Sequence, residues 1–247
     1  MADKRHLTAN ALLSARRSGS LPYVLAAAGA AILLLLVLWI LGAGSVRLLF
    51  LLLPVLMLAP FLFLLDDTPM RRRRGYEGEM VALEALDRLP QDYVIFNQVR
   101  IPQKKSKRIR ECDYVVVGRE ASFAIEVKHV SGEIHLSNQG DCRVVDRKGG
   151  HRPLKNPVLQ NNNQRKALKD YLRRKGIREA VHPVLVFVGD GGLVFSEEMQ
   201  ESPLVSVVRP GSLASSILEL DARPGSGRPP HRDGVISAVA GLASGSP

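Results

Sequence analysis

Two stretches near the N-terminus carry no charged residue, 21–41 and 48–65. A helix needs roughly 20 apolar residues to span a hydrocarbon core, and both runs approach that length. Backbone groups in lipid must be satisfied within their own segment, so both runs are expected to be helical. Residues 42–47 separate them, and Gly42, Ala43, Gly44 and Ser45 read as a tight turn. Pro54 and Pro60 fall inside the second run, where a membrane helix tolerates them. A cleaved signal peptide is the simpler reading of the first run. That run is too long for a typical signal, however, and no small-x-small cleavage site separates it from the second. Lys4, Arg5, Arg16 and Arg17 precede the pair and Arg71 to Arg74 follow it, against Arg47 alone in the turn. Lys and Arg accumulate on the cytoplasmic side. The expectation is a two-helix hairpin in the cell inner or plasma membrane, with both termini cytoplasmic.

Beyond it the pattern becomes that of a soluble domain. The reading is a leader over 1–20, the hairpin over 21–65, a basic linker over 66–74, a domain over 75–221 and a mobile Pro/Gly-rich tail over 222–247. Met80, Leu83, Leu86 and Leu89 recur at helical spacing, which predicts a helix over 76–89 closed by Pro90. Short apolar or β-branched runs predict strands over 93–96, 114–117, 122–128, 133–136 and 143–145. Asn156 followed by Pro157 is a helix start, and Gly176 is its terminator. Strands over 184–188 and 205–208 and a helix over 212–220 follow, with a weak helix in the last dozen residues. This order predicts an α/β class with a mixed sheet flanked by helices.

The chain has 247 residues and a formal charge of +10. Part of the excess is topological, and the rest concentrates at 103–110 and 164–175. A basic surface favours polyanions without naming one. Cys112 and Cys142 lie in no zinc-type spacing and read as ordinary small residues.

No phosphate-cradling G-x-x-x-x-G-K-[ST], H-E-x-x-H or nucleophile elbow is present. What remains is Glu79, Asp113, Glu126, Lys128 and Gln160. Alternation along a strand puts Glu126 and Lys128 on one face and Ile125 and Val127 on the other. If the run starting at Asp113 pairs with that strand, two carboxylates meet. They repel unless a cation intervenes, and a hard divalent ion such as Mg²⁺ suits carboxylate oxygens. Taken singly, each residue has a plainer explanation. E-x-K suits a solvated strand face, Glu79 suits a first helical turn, and Gln160 suits a surface.

Together they carry a resemblance. Gly75, Tyr76, Glu77, Gly78 and Glu79 open a helix, and Asp113 starts a β-branched run. Glu126-Val127-Lys128 and Gly132-Glu133-Ile134 follow, and Asn156, Pro157 and Gln160 open a later helix. This ordered set resembles the nuclease-related domain (NERD) family, itself similar to the PD-(D/E)xK restriction-endonuclease-like nucleases. The resemblance covers roughly 75–188. It implies a restriction-endonuclease-like mixed sheet, with Asp113 and Glu126 as ligands of Mg²⁺ or Mn²⁺. It implies Lys128 as the residue acting on the attacking water, and Glu79 and Gln160 as supporting members of the catalytic set. His129 follows the lysine where the family commonly has Asn, and Tyr114 follows the aspartate where His is expected. His129 should face away from Glu126 and Lys128. The expected function is a membrane-anchored, metal-dependent nuclease at the cytoplasmic face, with nucleic acid as partner, DNA ahead of RNA. Phosphate contacts are expected from Lys104, Lys105, Lys107 and Arg108 on a hairpin tip and from Arg165, Lys166 and Lys169 on the later helix. A non-catalytic nucleic-acid-binding module and a membrane scaffold are the alternatives.

Overall fold

A computed structural model of the chain describes residues 3–6, 29, 68–103, 109–223 and 232–243. The chain divides into two units, 11–73 and a second made of 1–10 with 74–247. The second holds nearly all described residues. In chain order the elements are β1 (Asp3–His6), α1 (Thr68–Leu86), β2 (Val94–Pro102), β3 (Ile109–Val117), β4 (Ser122–His129), β5 (Glu133–Leu136), β6 (Cys142–Val145), β7 (His151–Leu154), α2 (Pro157–Arg174), β8 (Val181–Val188), β9 (Leu193–Phe195), α3 (Glu197–Glu201), β10 (Ser206–Val208), α4 (Pro210–Asp221) and α5 (Arg232–Ala243).

A six-stranded mixed sheet runs β1-β2-β3-β4-β8-β10, and a four-stranded sheet runs β7-β6-β5-β9. β2, β3 and β4 form an antiparallel meander, whereas β4, β8 and β10 are parallel. A parallel pair needs a long crossover. Between β4 and β8 the chain supplies the hairpins of the smaller sheet and then α2. β4 and β8 are covered on both faces, so they read as near-continuous apolar runs. One face of the larger sheet packs Ile125 and Val127 against Ala82 and Leu86 of α1 and Leu213 and Ile217 of α4. The other packs Val115 and Ala124 against Leu168 and Leu172 of α2 and Val235 and Val239 of α5. Glu126 lies in this second layer's register, at the point where α2 begins.

Several boundaries differ from the sequence reading. β2 continues to Pro102, past the polar Asn97, Gln98 and Arg100 that hid it. The helix expected over 76–89 begins at Thr68 and ends at Leu86, with turns carrying the chain to Leu89. β7 reads His-Arg-Pro-Leu, which has no strand signal; it is an edge strand paired only with β6, where Pro is tolerated. β9 and α3 are too short for periodicity to reveal. The tail is the main correction. Residues 232–243 form α5, a few residues earlier than the expected helix, and Val235 and Val239 are fully buried, so the core extends beyond residue 221. The expected membrane hairpin lies outside the described residues apart from Gly29. Among the described residues no helix is long and apolar enough to cross a membrane.

Candidate active site

The site begins where two strands part. β3 and β4 are paired from Val117–Ser122 to Tyr114–Ile125, and there the ladder stops. The next inward-pointing main-chain donor on β4 is Val127 N–H. The carboxylate of Asp113 takes it, with Oδ2 accepting at 2.7 Å. A side chain thus replaces the missing rung. The β2–β3 ladder is disturbed at the same level, skipping Gln98 and Asp113, and Gln98 has φ +50°. Positive φ is uncommon outside glycine and costs backbone energy. The kink opens the gap into which Asp113 turns.

Glu126 lies beside it, 2% exposed. Its Oε1 accepts from Lys128 Nζ and from Gln160 Nε2, and its Oε2 accepts from Gln164 Nε2. Lys128 keeps a quarter of its side chain exposed, so it reaches solvent while paired to a nearly buried carboxylate. Asp113 is only half-buried at its rim, yet its carboxyl group is held well above the usual carboxylate range. Burial is the main cause and the neighbouring Glu126 charge the second; Val127 N–H and Lys128 pull the other way.

α1 approaches from the opposite face. A Cβ on Gly78 would stand 2.9 Å from His129 Cβ and 3.6 Å from Val127 Cγ1. Only glycine allows the helix this close. His129 therefore faces α1, away from Glu126 and Lys128. The Tyr114 hydroxyl donates to the Glu79 carbonyl at 2.9 Å and ties α1 to β3. The Glu79 side chain is half-buried, and its charge adds to the repulsion felt by Asp113. Burial raises the Tyr114 hydroxyl, with Glu79 and Asp113 adding to the rise.

The N-terminus of α2 brings the amides. Asn156 caps the helix, its Oδ1 accepting from Leu159 N–H at 2.9 Å. Its Nδ2 donates to Ser137 O at 3.2 Å and Gly140 O at 2.9 Å, which fixes the first turn against the loop after β5. From there Gln160, Asn161 and Gln164 face the sheet. Sequence reasoning missed Asn161 and Gln164, which are almost fully buried. The signal was five consecutive amides, Gln160 to Gln164. On a helix face turned to a sheet, buried amides stand where leucine would otherwise pack.

The donors suit a hard divalent cation. Among the described residues no group of three or more His, Cys, Asp or Glu is arranged to hold a metal. Mg²⁺, however, is commonly held by one or two carboxylates and completes its shell with water and substrate phosphate. Asp113 and Glu126 would fit that pattern, and the pressure on Asp113 to keep a proton is what a bound cation would relieve.

The expected basic residues separate. Lys104, Lys105, Lys107 and Arg108 lie outside the described residues. Arg165 is half-buried, its Nε–H donating to Asn162 Oδ1 on the same helix at 3.0 Å. Lys169 is exposed. Lys166 lines a groove of about 410 Å³ between α2 and the base of the β2–β3 hairpin, with Pro102, Arg110, Asp170, Arg173 and Arg174. Arg174 is braced there, donating to Pro102 O at 3.0 Å. Burial pushes both cysteine thiols up, and neither forms a disulfide.

No curated protein and no solved structure matches the chain. Residues 74–188 match the family model described as NERD, nuclease-related domain. That span contains Glu79, Asp113, Glu126, Lys128, Gln160 and Gln164. Over residues 74–188 the chain is therefore similar to the nuclease-related domain family.

Proposed function

We propose that the chain cleaves nucleic-acid phosphodiester bonds at the Asp113–Glu126–Lys128 centre with a divalent cation. One observation carries the reading: two carboxylates meet where β3 leaves β4, and a lysine on the same strand is paired to one of them. Asp113 and Glu126 would hold Mg²⁺ or Mn²⁺. When bound, such an ion stabilises charge on a phosphoryl oxygen and lowers the pKa of its water. Lys128 sits at the solvent edge of the pair with its ammonium towards the carboxylates. That position suits it to orient the attacking water and stabilise the phosphorane-like transition state, rather than to take a proton. Gln160 and Glu126 hold each other, so the first turn of α2 is part of the centre.

The groove lined by Arg110, Lys166, Arg173 and Arg174 supports a polyanionic substrate. Guanidinium and ammonium contacts to phosphate give affinity without sequence preference. The site and the groove share α2: residues 160, 163, 167, 170 and 174 follow helical three-and-four spacing, so one face leads from one to the other. DNA stands ahead of RNA as substrate. The uncharged runs 21–41 and 48–65 with their basic flanks support anchoring at the cytoplasmic face of a membrane.

The test uses the purified full-length chain with DNA and RNA oligonucleotides in Mg²⁺ or Mn²⁺. Cleavage should stop with EDTA and fall roughly 10²- to 10⁴-fold in Asp113→Ala, Glu126→Ala and Lys128→Ala. Oligonucleotide binding should persist in Lys128→Ala. Cleavage that survives Glu126→Ala would place the chemistry elsewhere. A second reading, a binding module without catalysis, is favoured by the three donors already on Glu126. Tight binding with no metal-dependent cleavage of any substrate would select it.

A further inference from the structure

The carboxylate of Glu126 is held from behind by side chains that neither face solvent nor reach the groove. Gln164 is 1% exposed and Asn161 fully buried. Gln164 Nε2 donates to Glu111 O at 2.7 Å and to Glu126 Oε2. Its Oε1 accepts from Asn161 Nδ2 at 3.2 Å, and that nitrogen also donates to Ala124 O at 2.9 Å. The order of this chain is fixed from both ends. A main-chain carbonyl only accepts, so Ala124 O demands the NH₂ of Asn161 and Glu111 O demands the NH₂ of Gln164. With those two settled, the group presented to Glu126 is a donor. If the Gln164 amide were flipped, its carbonyl would face both Glu126 Oε2 and Glu111 O, three lone-pair-bearing oxygens with no hydrogen among them.

This order is retained at a cost. Asn161 Oδ1 is buried with no hydrogen-bond partner, and an unsatisfied buried acceptor costs roughly 1–3 kcal/mol. Packing alone would be served better by leucine at 161 and 164. Both carbonyls that anchor the amides come from the strands that carry the carboxylates. Glu111 lies two residues before Asp113 and Ala124 two before Glu126. The amides therefore sense the separation of β3 and β4 at the point where the strands splay.

We propose that Gln164 is a positioning residue of the nuclease centre: its amide, oriented by Asn161, fixes the plane of the Glu126 carboxylate and the spacing of β3 from β4 so that Asp113 and Glu126 can share one cation. The proposal rests on the reading of Asp113 and Glu126 as metal ligands. Gln164 touches no substrate. It acts through Glu126, as residues behind a metal ligand generally do, and their removal typically costs 10- to 100-fold in metal affinity or activity.

The experiment measures Mn²⁺ affinity by calorimetry on the full-length chain, alongside kcat and KM for a DNA oligonucleotide and the melting temperature. Gln164→Glu keeps the shape and exchanges the donor for an acceptor. Gln164→Met keeps the length and removes the donor. Asn161→Asp removes the NH₂ that orients Gln164. Gln164→Met should weaken Mn²⁺ binding about tenfold or more and lower kcat with KM unchanged. Gln164→Glu should weaken Mn²⁺ binding further still, and Asn161→Asp should do so less. A purely structural glutamine would lower the melting temperature of all three while Mn²⁺ affinity and kcat stayed at wild-type values, and that result overturns the proposal. If one variant does not fold, the other two give the same reading. Wild-type chain that binds no Mn²⁺ would overturn the metal-centre reading and this inference together. Wild-type chain that binds Mn²⁺, with all folded variants matching it, would overturn this inference alone.

Discussion

Buried carboxylates sit at both ends of the β3–β4 pair, and they are held in different ways. At the closed end Asp221, the last residue of α4, reaches the turn that joins the strands. Its oxygens accept from three consecutive main-chain amides, Arg119, Glu120 and Ala121, at 2.8–3.0 Å, and from the Tyr93 hydroxyl at 2.5 Å. At the open end Asp113 and Glu126 face each other, and their donors are mostly side chains: a lysine and two glutamines. Asp221 is 3% exposed and Glu126 2%, so burial does not separate them. The environment does. Main-chain donors with no second carboxylate make a staple, whereas two carboxylates in one gap are what the proposed cation would require.

Cutting each end should give opposite phenotypes, and this is the largest effect expected. Glu126→Ala should remove cleavage by the factor given above with a small change in melting temperature, because the carboxylate repulsion goes with it. Asp221→Ala should leave the Tyr93 hydroxyl and the buried Ala121 amide without partners. At roughly 1–3 kcal/mol for each unsatisfied buried group, the loss is about 3 kcal/mol. For a domain of this size that lowers the melting temperature by about 6–12 °C. Cleavage per folded molecule should be retained. Thermal denaturation with activity measured well below the transition checks both. An Asp221→Ala chain that melts normally but is inactive would reverse the assignment.

The next effect is smaller and concerns α1, which covers the site from the far face. Gly78→Ala places a methyl group 2.9 Å from His129 Cβ. Overpacking of this kind costs about 1–3 kcal/mol, partly offset by the better helix propensity of alanine, about 1 kcal/mol. The variant should melt a few degrees lower. Cleavage should fall as well, because α1 carries Glu79 and is tied through Tyr114 to the strand bearing Asp113. A higher melting temperature for Gly78→Ala would show that the helix has room to spare.

The sequence exposed the elements that carry the candidate site better than their surroundings. Alternation around Glu126 and Lys128, and the Asn156–Pro157 helix start, are local signals, and both elements stand where expected. The strand of Asp113 was found from its β-branched half, while Ile109 to Cys112 lacked the pattern. Gln164 was invisible because its role depends on carbonyls of two other strands, which no spacing along α2 encodes. Asp221 was overlooked for the same reason, since its partners lie about a hundred residues away. α5 was underestimated because small residues dilute its apolar face, and its burial comes from β2 and β3 rather than from itself.

The smallest effect separates the two ends by pH. The Asp113 carboxyl is held above its ordinary value, chiefly by burial and then by Glu126. In the unfolded chain it loses its proton near pH 4, while in the folded chain it keeps the proton to higher pH. Through that window the unfolded state binds fewer protons than the folded state, so stability falls as pH rises. The loss is complete above the folded value and absent below about pH 4. Asparagine cannot ionise, and its carbonyl can still accept from Val127 N–H. Without added metal, Asp113→Asn should therefore melt above the wild type at neutral pH, and the gap should close as pH falls towards 4. Adding Mn²⁺ should stabilise the wild type by mass action and leave the variant almost unmoved, reducing or reversing the gap. Val127 N–H and Lys128 already offset part of the cost, which keeps this difference below those at Asp221 and Gly78. Denaturation curves of the two chains at several pH values, with and without Mn²⁺, measure it. A variant less stable than the wild type at every pH in metal-free buffer would mean that Asp113, like Asp221, is a staple.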